Sequence, residues 1–345
     1  MTHIFRYLAI SIVSLTSTQM LEASENCKIE FHSNVARSFL AEPTAVEILT
    51  DGYHLAEGPV WNTAEECLLF TDLLTNSIYQ WTKKEGASLY LFPSGRTGFA
   101  PSFEEGVIGA NGLGMTSDNS LVLCQHGDRR IARLINKTGT RPIFATLASH
   151  FQNKRLNSPN DLAIAANGDI YFTDPPGGFI DWAASDLAHK KVVVDERNKE
   201  LNFHGVYHYH HKTGKLSLVS RDMSRPNGIA LSRDQKYLYV GNAERKRPYI
   251  MRFSTGNYTG KIFFDGPFRK GKTEVIDGMK VHGSGLLFTT GPGGIYLLSS
   301  TGKKLAVIHF DDQVTNVCFG PEQKYLYLTT FNYVARLRLK TSRKP

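Results

Sequence analysis

The stretch Arg155-Leu-Asn-Ser-Pro-Asn160-Asp161-Leu-Ala-Ile-Ala-Ala-Asn-Gly168-Asp-Ile-Tyr-Phe-Thr-Asp174 reads as two short strands joined by a tight turn. Leu162 to Ala165 is small and apolar, Asn167-Gly168 is a hairpin signal, and Ile170 to Thr173 is rich in strand formers. Asn160 stands just before the first strand and Asp174 closes the second. Core packing gives no reason for an amide in front of a buried apolar strand. A site at the mouth of that strand does.

The same unit recurs. Glu57-Gly-Pro-Val-Trp61 leads to Leu68-Leu-Phe-Thr-Asp72, and Asn111-Gly-Leu-Gly-Met115 leads to Leu121-Val-Leu-Cys124. Asn227-Gly-Ile-Ala-Leu231 leads to Tyr237-Leu-Tyr-Val240, Asp277-Gly-Met-Lys-Val281 to Leu286-Leu-Phe-Thr289, and Thr315-Asn-Val-Cys-Phe319 to Tyr325-Leu-Tyr-Leu328. With the Asn160 copy there are six, most of them roughly 40–65 residues apart, which is blade size. Third strands follow in several copies, for example Ile78-Tyr-Gln-Trp81 and Gly294-Ile-Tyr-Leu297. Several strands per period without intervening helices predict an all-β protein, a six-bladed β-propeller. The first strand of each blade lines the central channel, so Glu57, Asn111, Asn160, Asn227, Asp277 and Thr315 are expected to ring one end of it.

The rest of the chain fits that frame. Its 345 residues, 41% hydrophobic with 30 Gly and 14 Pro, suffice for one large all-β domain. Ala45 to Thr50 is a strand candidate expected to pair with Val334 to Leu339, because an unclosed ring would leave open sheet edges. The propeller is therefore assigned to residues 45–345, preceded by a lead-in segment over 24–44. Residues 1–23 have the layout of a secretory signal peptide, with Arg6 ahead of the short apolar run Tyr7 to Leu15 and then Leu21-Glu-Ala23. The expected location is outside the cytoplasm, periplasmic or secreted. No other stretch is long and apolar enough to span a membrane. Two segments break the repeat. Gly177 to Asn202 is expected to be an insertion over the channel face with one helical turn, and Arg96 to Gly109, carrying Phe99, Phe103, Glu104 and Glu105, is expected to help wall the pocket.

The net charge of +8 is spread along the chain, with concentrations only at Arg129-Arg130, Glu244 to Arg247 and Arg336 to Lys344. Scattered basic residues describe a solvated surface and not a nucleic-acid footprint. The four cysteines, Cys27, Cys67, Cys124 and Cys318, form no C-x-x-C pair, which disfavours a thiolate zinc site. Three of them fall in strands as small core residues, while a disulfide to Cys27 is left open.

Converged at one mouth, the carboxylates of Glu57 and Asp277 and the amide oxygens of Asn160 and Asn227 make an all-oxygen set suited to a hard cation such as Ca²⁺. The competing reading is that Asn-Gly and Asp-Gly are simply turn residues. A turn role, however, does not require all of them at the same phase of a repeat. No G-x-S-x-G sequence stands out, so a covalent serine mechanism is disfavoured.

These residues also carry a resemblance. Glu57-Gly-Pro-Val-Trp61, Phe70-Thr-Asp72, Arg155-Leu-Asn-Ser-Pro-Asn-Asp161, Tyr171-Phe-Thr-Asp-Pro-Pro176, Arg225-Pro-Asn-Gly228, Asp277-Gly-Met-Lys280 and Thr290-Gly-Pro-Gly-Gly294 together resemble the SMP-30/gluconolactonase/LRE family, in the family's order, from about Val46 to Leu339. The resemblance implies a six-bladed propeller and one divalent cation, usually Ca²⁺, on Glu57, Asn160, Asn227 and Asp277. It further implies hydrolysis of a sugar lactone, typically D-glucono-1,5-lactone, with Asp277 taking the proton of the attacking water. Asn111, His126, Arg155 and Asn157 are candidates to hold the sugar. For Arg155 the competing reading is a surface salt bridge, and for His126 a strand-end turn. Two further readings stay open: an esterase or lactonase for another ester, and a non-catalytic carbohydrate-binding propeller. Leu73-Leu74, Gln125 and Gly177 depart from the usual pattern beside the pocket, and they bear on the substrate more than on the cation.

Overall fold

A computed structural model describes residues 26–42, 44–101, 106–137, 141–186, 191–272 and 274–340. The expected leader, and Phe103, Glu104 and Glu105, lie outside the described residues. Six antiparallel sheets follow one another around the chain. Blade 1 is Ala56–Asn62, Cys67–Asp72, Ser77–Thr82 and Gly86–Leu91. Blade 2 runs from Ala110–Met115 to Ile143–Ala148, and blade 4 from Pro226–Leu231 to Gly260–Phe264. Blade 3 is Leu162–Ile164, Ile170–Asp174, Gly205–His210 and Lys215–Ser220. Blade 5 runs from Met279–Val281 to Lys304–His309, and blade 6 from Val314–Phe319 to Tyr333–Arg338.

Ring closure is as expected. Thr44–Asp51 lies antiparallel to Tyr333–Arg338, with Val46 opposite Leu337 and Thr50 opposite Val334. Glu47 and Arg336 add an ion pair at 2.7 Å across the seam. The lead-in segment goes further than a connector. Ile29–Phe31 adds a fifth strand to blade 5 and Asn26–Cys27 a fifth to blade 6. The helix Asn34–Phe39 that follows them buries Ala36 and sets Phe39 edge-on against His282. Both extra strands therefore cover sheet edges that would otherwise meet water.

The apolar core is divided into six wedges, one between each pair of neighbouring blades. Leu68, Phe70 and Trp81 meet Cys318, Tyr327 and Val334 where the last blade meets the first. Cys67, Cys124 and Cys318 are buried free thiols in these wedges, as their strand positions predict, and Cys27 is a free thiol as well.

The glycine after four of the lead residues has a packing reason. A Cβ on Gly58 would lie 2.1 Å from the Asn111 carbonyl oxygen, and one on Gly228 would lie 1.9 Å from that of Asp277. At these two positions the inner strands of adjacent blades touch backbone to backbone, which only glycine permits. The second residue of each repeat is glycine in blades 1, 2, 4 and 5, but Asp161 in blade 3 and Asn316 in blade 6.

Candidate active site

The approach to three of the lead residues is fixed by the end of the strand behind each. Asp72 accepts hydrogen bonds from the backbone N–H of His54 and Leu55, at 3.3 and 3.2 Å. Asp174 accepts from the N–H of Asn157 at 2.8 Å, and Asn242 from that of Arg225 at 2.9 Å. Three second strands therefore end in a polar side chain that clamps the loop two or three residues ahead of Glu57, Asn160 and Asn227. The clamp satisfies buried backbone donors and sets where the lead side chain emerges.

All six lead residues, Glu57, Asn111, Asn160, Asn227, Asp277 and Thr315, line one cavity of about 180 Å³, together with His126 and Gln313. Its floor is polar. Glu57 is buried, and its Oε2 accepts from Gly58 N at 2.5 Å and from Asn316 Nδ2 at 2.9 Å. Asn227 hydrogen-bonds the Asp277 carboxylate, and Gln313 Nε2 stands 3.5 Å from Asp277 Oδ2. Asn111 Nδ2 lies 3.3 Å from His126 Nε2. The Thr315 hydroxyl is spent on structure, donating to the carbonyl of Ala56 at 2.7 Å. The walls are largely apolar: Leu55, Leu73, Val107, Val275 and Phe331, with Pro175 and Pro176.

The insertion between the second and third strands of blade 3 covers this face as expected, but as a hairpin. A 3₁₀ turn at Gly177–Phe179 leads into strand Ile180–Asp186, paired with Lys191–Val194. Ile180, Val192 and Val194 face the cavity. From the Arg96–Gly109 segment Val107 reaches the cavity, while Phe99 instead stacks under the Arg130 guanidinium at 3.9 Å.

Two of the expected sugar-binding residues are not brought to this cavity. Arg155 sits in a two-stranded ribbon with His150–Phe151, and its Nε is 3.9 Å from Glu200 Oε1, which is the surface ion pair that was its competing reading. Asn157 is buried and ties loops together, donating to the carbonyls of Asp174 and Phe203 at 3.0 and 2.9 Å. Their places in the wall are taken by Arg225 and Arg245.

The electrostatics follow from burial. Desolvation, and then the charge of Asp161, push the Glu57 carboxyl up to about 7. Asp277 is raised well above the carboxylate range by desolvation, then by Glu57 and Asp161. His126 is pushed down to about 4 by burial, so its ring is neutral at neutral pH. Asp161 lies beneath the floor at the position where four other blades carry glycine. Its Oδ2 is 3.7 Å from Lys280 Nζ and its Oδ1 accepts from Leu162 N at 2.8 Å. Ionised, the buried floor has three carboxylates against one ammonium, leaving two negative charges. Convergent carboxylates that raise each other's pKa take up positive charge, as a proton or a cation. One divalent cation balances it, and the carboxylate and amide oxygens present suit a hard ion.

A model of the SMP-30/gluconolactonase/LRE-like region matches residues 55–332, and the chain belongs to that family. It is 33% identical over 307 residues to the gluconolactonase of Zymomonas mobilis, covering 86% of this chain and 82% of that protein. A solved gluconolactonase from Xanthomonas campestris matches with a TM-score of 0.75 at 25% identity, covering 92% of this chain and 99% of that one. A calcium-binding regucalcin from Agrobacterium tumefaciens shares the fold, with a TM-score of 0.63 at 17% identity over 88% of this chain and 97% of that one.

Proposed function

We propose that this lactone hydrolase opens a sugar lactone such as D-glucono-1,5-lactone to the aldonic acid, with one Ca²⁺ held by Glu57, Asn160, Asn227 and Asp277. The observation that carries the reading is the meeting of six lead residues, from all six blades, in one cavity of a chain of this family. When bound there, a divalent cation supplies electrophilic stabilisation of the charge that develops on the lactone carbonyl oxygen. Asp277 takes the proton of the attacking water. It faces the cavity, and the amides of Asn227 and Gln313 beside it steady the carboxylate. Asn111 and neutral His126 present hydrogen-bonding groups to the sugar hydroxyls. The apolar walls and the hairpin valines restrict bulk water around the ring. Arg155 and Asn157 have no part in this assignment.

A panel of aldonolactones assayed with chelator-treated and Ca²⁺-loaded protein tests the reading. Hydrolysis of glucono-1,5-lactone is expected with Ca²⁺ and lost without it. Full turnover in the metal-free protein, or sugar binding without turnover, would sink it.

The same cluster sets a pH dependence. A carboxyl whose folded pKa is raised holds a proton that the unfolded chain has already lost. Its stabilisation is complete at low pH and disappears as pH rises through the folded pKa. Glu57 does this around 7, as does the buried Asp174, also raised to about 7 by burial. His126, depressed to about 4 from 6.5, has the opposite sign, but its effect is confined to pH below 6.5. Between pH 6.5 and about 8 the melting temperature of metal-free protein should therefore fall. Added Ca²⁺ should remove the Glu57 share of that fall, because the cation replaces the protons at Glu57 and Asp277, while the Asp174 share remains. Melting curves with and without Ca²⁺ across this window check it, and a metal-free melting temperature that rises with pH would contradict the charge assignment.

A further inference from the structure

A second cluster lies at the far end of blade 3. Asp169 follows the Asn167-Gly168 turn, while strand Ile170–Asp174 runs from there to the cavity face. Five residues of strand separate the two ends by about 17 Å. Opposite Asp169, in strand Gly205–His210, stand His208 and His210. Two residues apart on one strand, they project from the same face, and their ring centroids are 3.9 Å apart. One oxygen or nitrogen from each of Asp169, His208 and His210 lies within 4.8 Å of the others.

The hydrogen bonds divide each ring into a fixed side and a facing side. His208 Nδ1 is held by the Tyr258 hydroxyl at 2.7 Å, and its Nε2 points to Asp169 Oδ2 at 2.9 Å. His210 Nε2 is held by the Ser217 hydroxyl at 2.8 Å, which leaves its Nδ1 as the available nitrogen. Tyr171 stacks on His208 at 4.1 Å and keeps the ring from rotating. Asp169 Oδ1 accepts from the His211 backbone N–H at 2.9 Å, so its carboxylate is also oriented. Each imidazole is anchored by a hydroxyl through one ring nitrogen, and anchoring one nitrogen is how proteins orient metal-binding histidines. His208 is buried, whereas Asp169 and His210 are half-buried, so the cluster is open to solvent on one side.

We propose that Asp169, His208 and His210 form a Zn²⁺ site, separate from the Ca²⁺ site of the cavity, with water completing the coordination. Two imidazoles and one carboxylate suit a borderline ion in four-coordinate geometry. They offer too few oxygens for Ca²⁺. Binding through His208 Nε2 takes the place of its hydrogen bond to Asp169, and the ring keeps its one N–H on Nδ1, donating to the Tyr258 hydroxyl. The ion pins the Asn167–Asp169 hairpin to strand Gly205–His210, so the role is structural and independent of lactone turnover.

The test uses the full chain, stripped by chelator and then saturated with Ca²⁺ so that the cavity is filled. Titration calorimetry with Zn²⁺ should give one ion per chain, and Zn²⁺ should raise the melting temperature. Asp169→Asn and His210→Gln should each weaken Zn²⁺ binding at least about tenfold and abolish the melting shift, with hydrolysis in Ca²⁺ unchanged. His210 is only half-buried, so its variant serves if Asp169→Asn fails to fold. Co²⁺ in the parent should give the visible absorption of a four-coordinate nitrogen and oxygen site, absent in His210→Gln. A Zn²⁺ affinity equal in parent and variants places the ion elsewhere on the chain and overturns the proposal, as does a parent that binds none.

Discussion

Asp277→Asn is expected to lower lactone hydrolysis by about 10²–10⁴-fold at saturating Ca²⁺, the range lost with a general base. The substitution keeps the shape of the side chain and one oxygen to meet a cation. It removes the negative charge and the ability to accept a proton. The fold should survive, because burial, Glu57 and Asp161 already favour the neutral form of this carboxyl in the metal-free protein, and asparagine is neutral. The Asn227 and Gln313 amides beside it still find a carbonyl oxygen. Steady-state rates over a Ca²⁺ series, with circular dichroism as the fold control, decide the matter. A variant that reaches the parent rate at saturating Ca²⁺ would show that Asp277 only positions the ion.

Glu57→Gln should behave differently. Its Oε2 is committed to Gly58 N and Asn316 Nδ2, and glutamine can accept the same bonds through its carbonyl oxygen. What disappears is one of the two charges that the floor directs at a cation. Ca²⁺ affinity should fall at least about 100-fold, equivalent to roughly 2.7 kcal/mol. The rate should recover in large part when Ca²⁺ is raised well above the new dissociation constant. A rate that stays low at every Ca²⁺ concentration would move Glu57 from holding the ion to the chemistry itself.

The phase of the repeat was enough to bring Glu57, Asn111, Asn160, Asn227, Asp277 and Thr315 together, because the mouth of an inner strand is the same place in every blade. It was not enough for Arg155 and Asn157. They precede Asn160 by a few residues in one motif, but they lie before the strand begins, where the path depends on Asp174, Phe203 and Glu200. The hairpin over the cavity broke the period, so its strands carried no phase at all, and Ile180, Val192 and Val194 looked like ordinary loop residues. Arg225 and Arg245 stood in quoted segments, but both lie in loops flanking blade 4 strands, where the phase of the repeat does not say which way a side chain turns. Asp161 was different. It stood in plain view as an aspartate where four other copies have glycine. Reading that exception against the close approach of adjacent inner strands would have found the buried carboxylate and its partner Lys280.

The seam between Thr44–Asp51 and Tyr333–Arg338 has a consequence in time. Glu47 and Arg336, joined across it, are 289 residues apart in the chain. Contacts of such long range are slow to form, and the entropy of closing so large a loop is spent before they contribute. During synthesis the cavity cannot be finished early, since its rim takes a residue from every blade and the last blade needs both ends of the chain. An interrupted product therefore has most of the polar residues of the floor but no ring to hold them in register. A chain truncated before Tyr333 is therefore expected to lose turnover altogether rather than in part, which an assay of such a truncation checks.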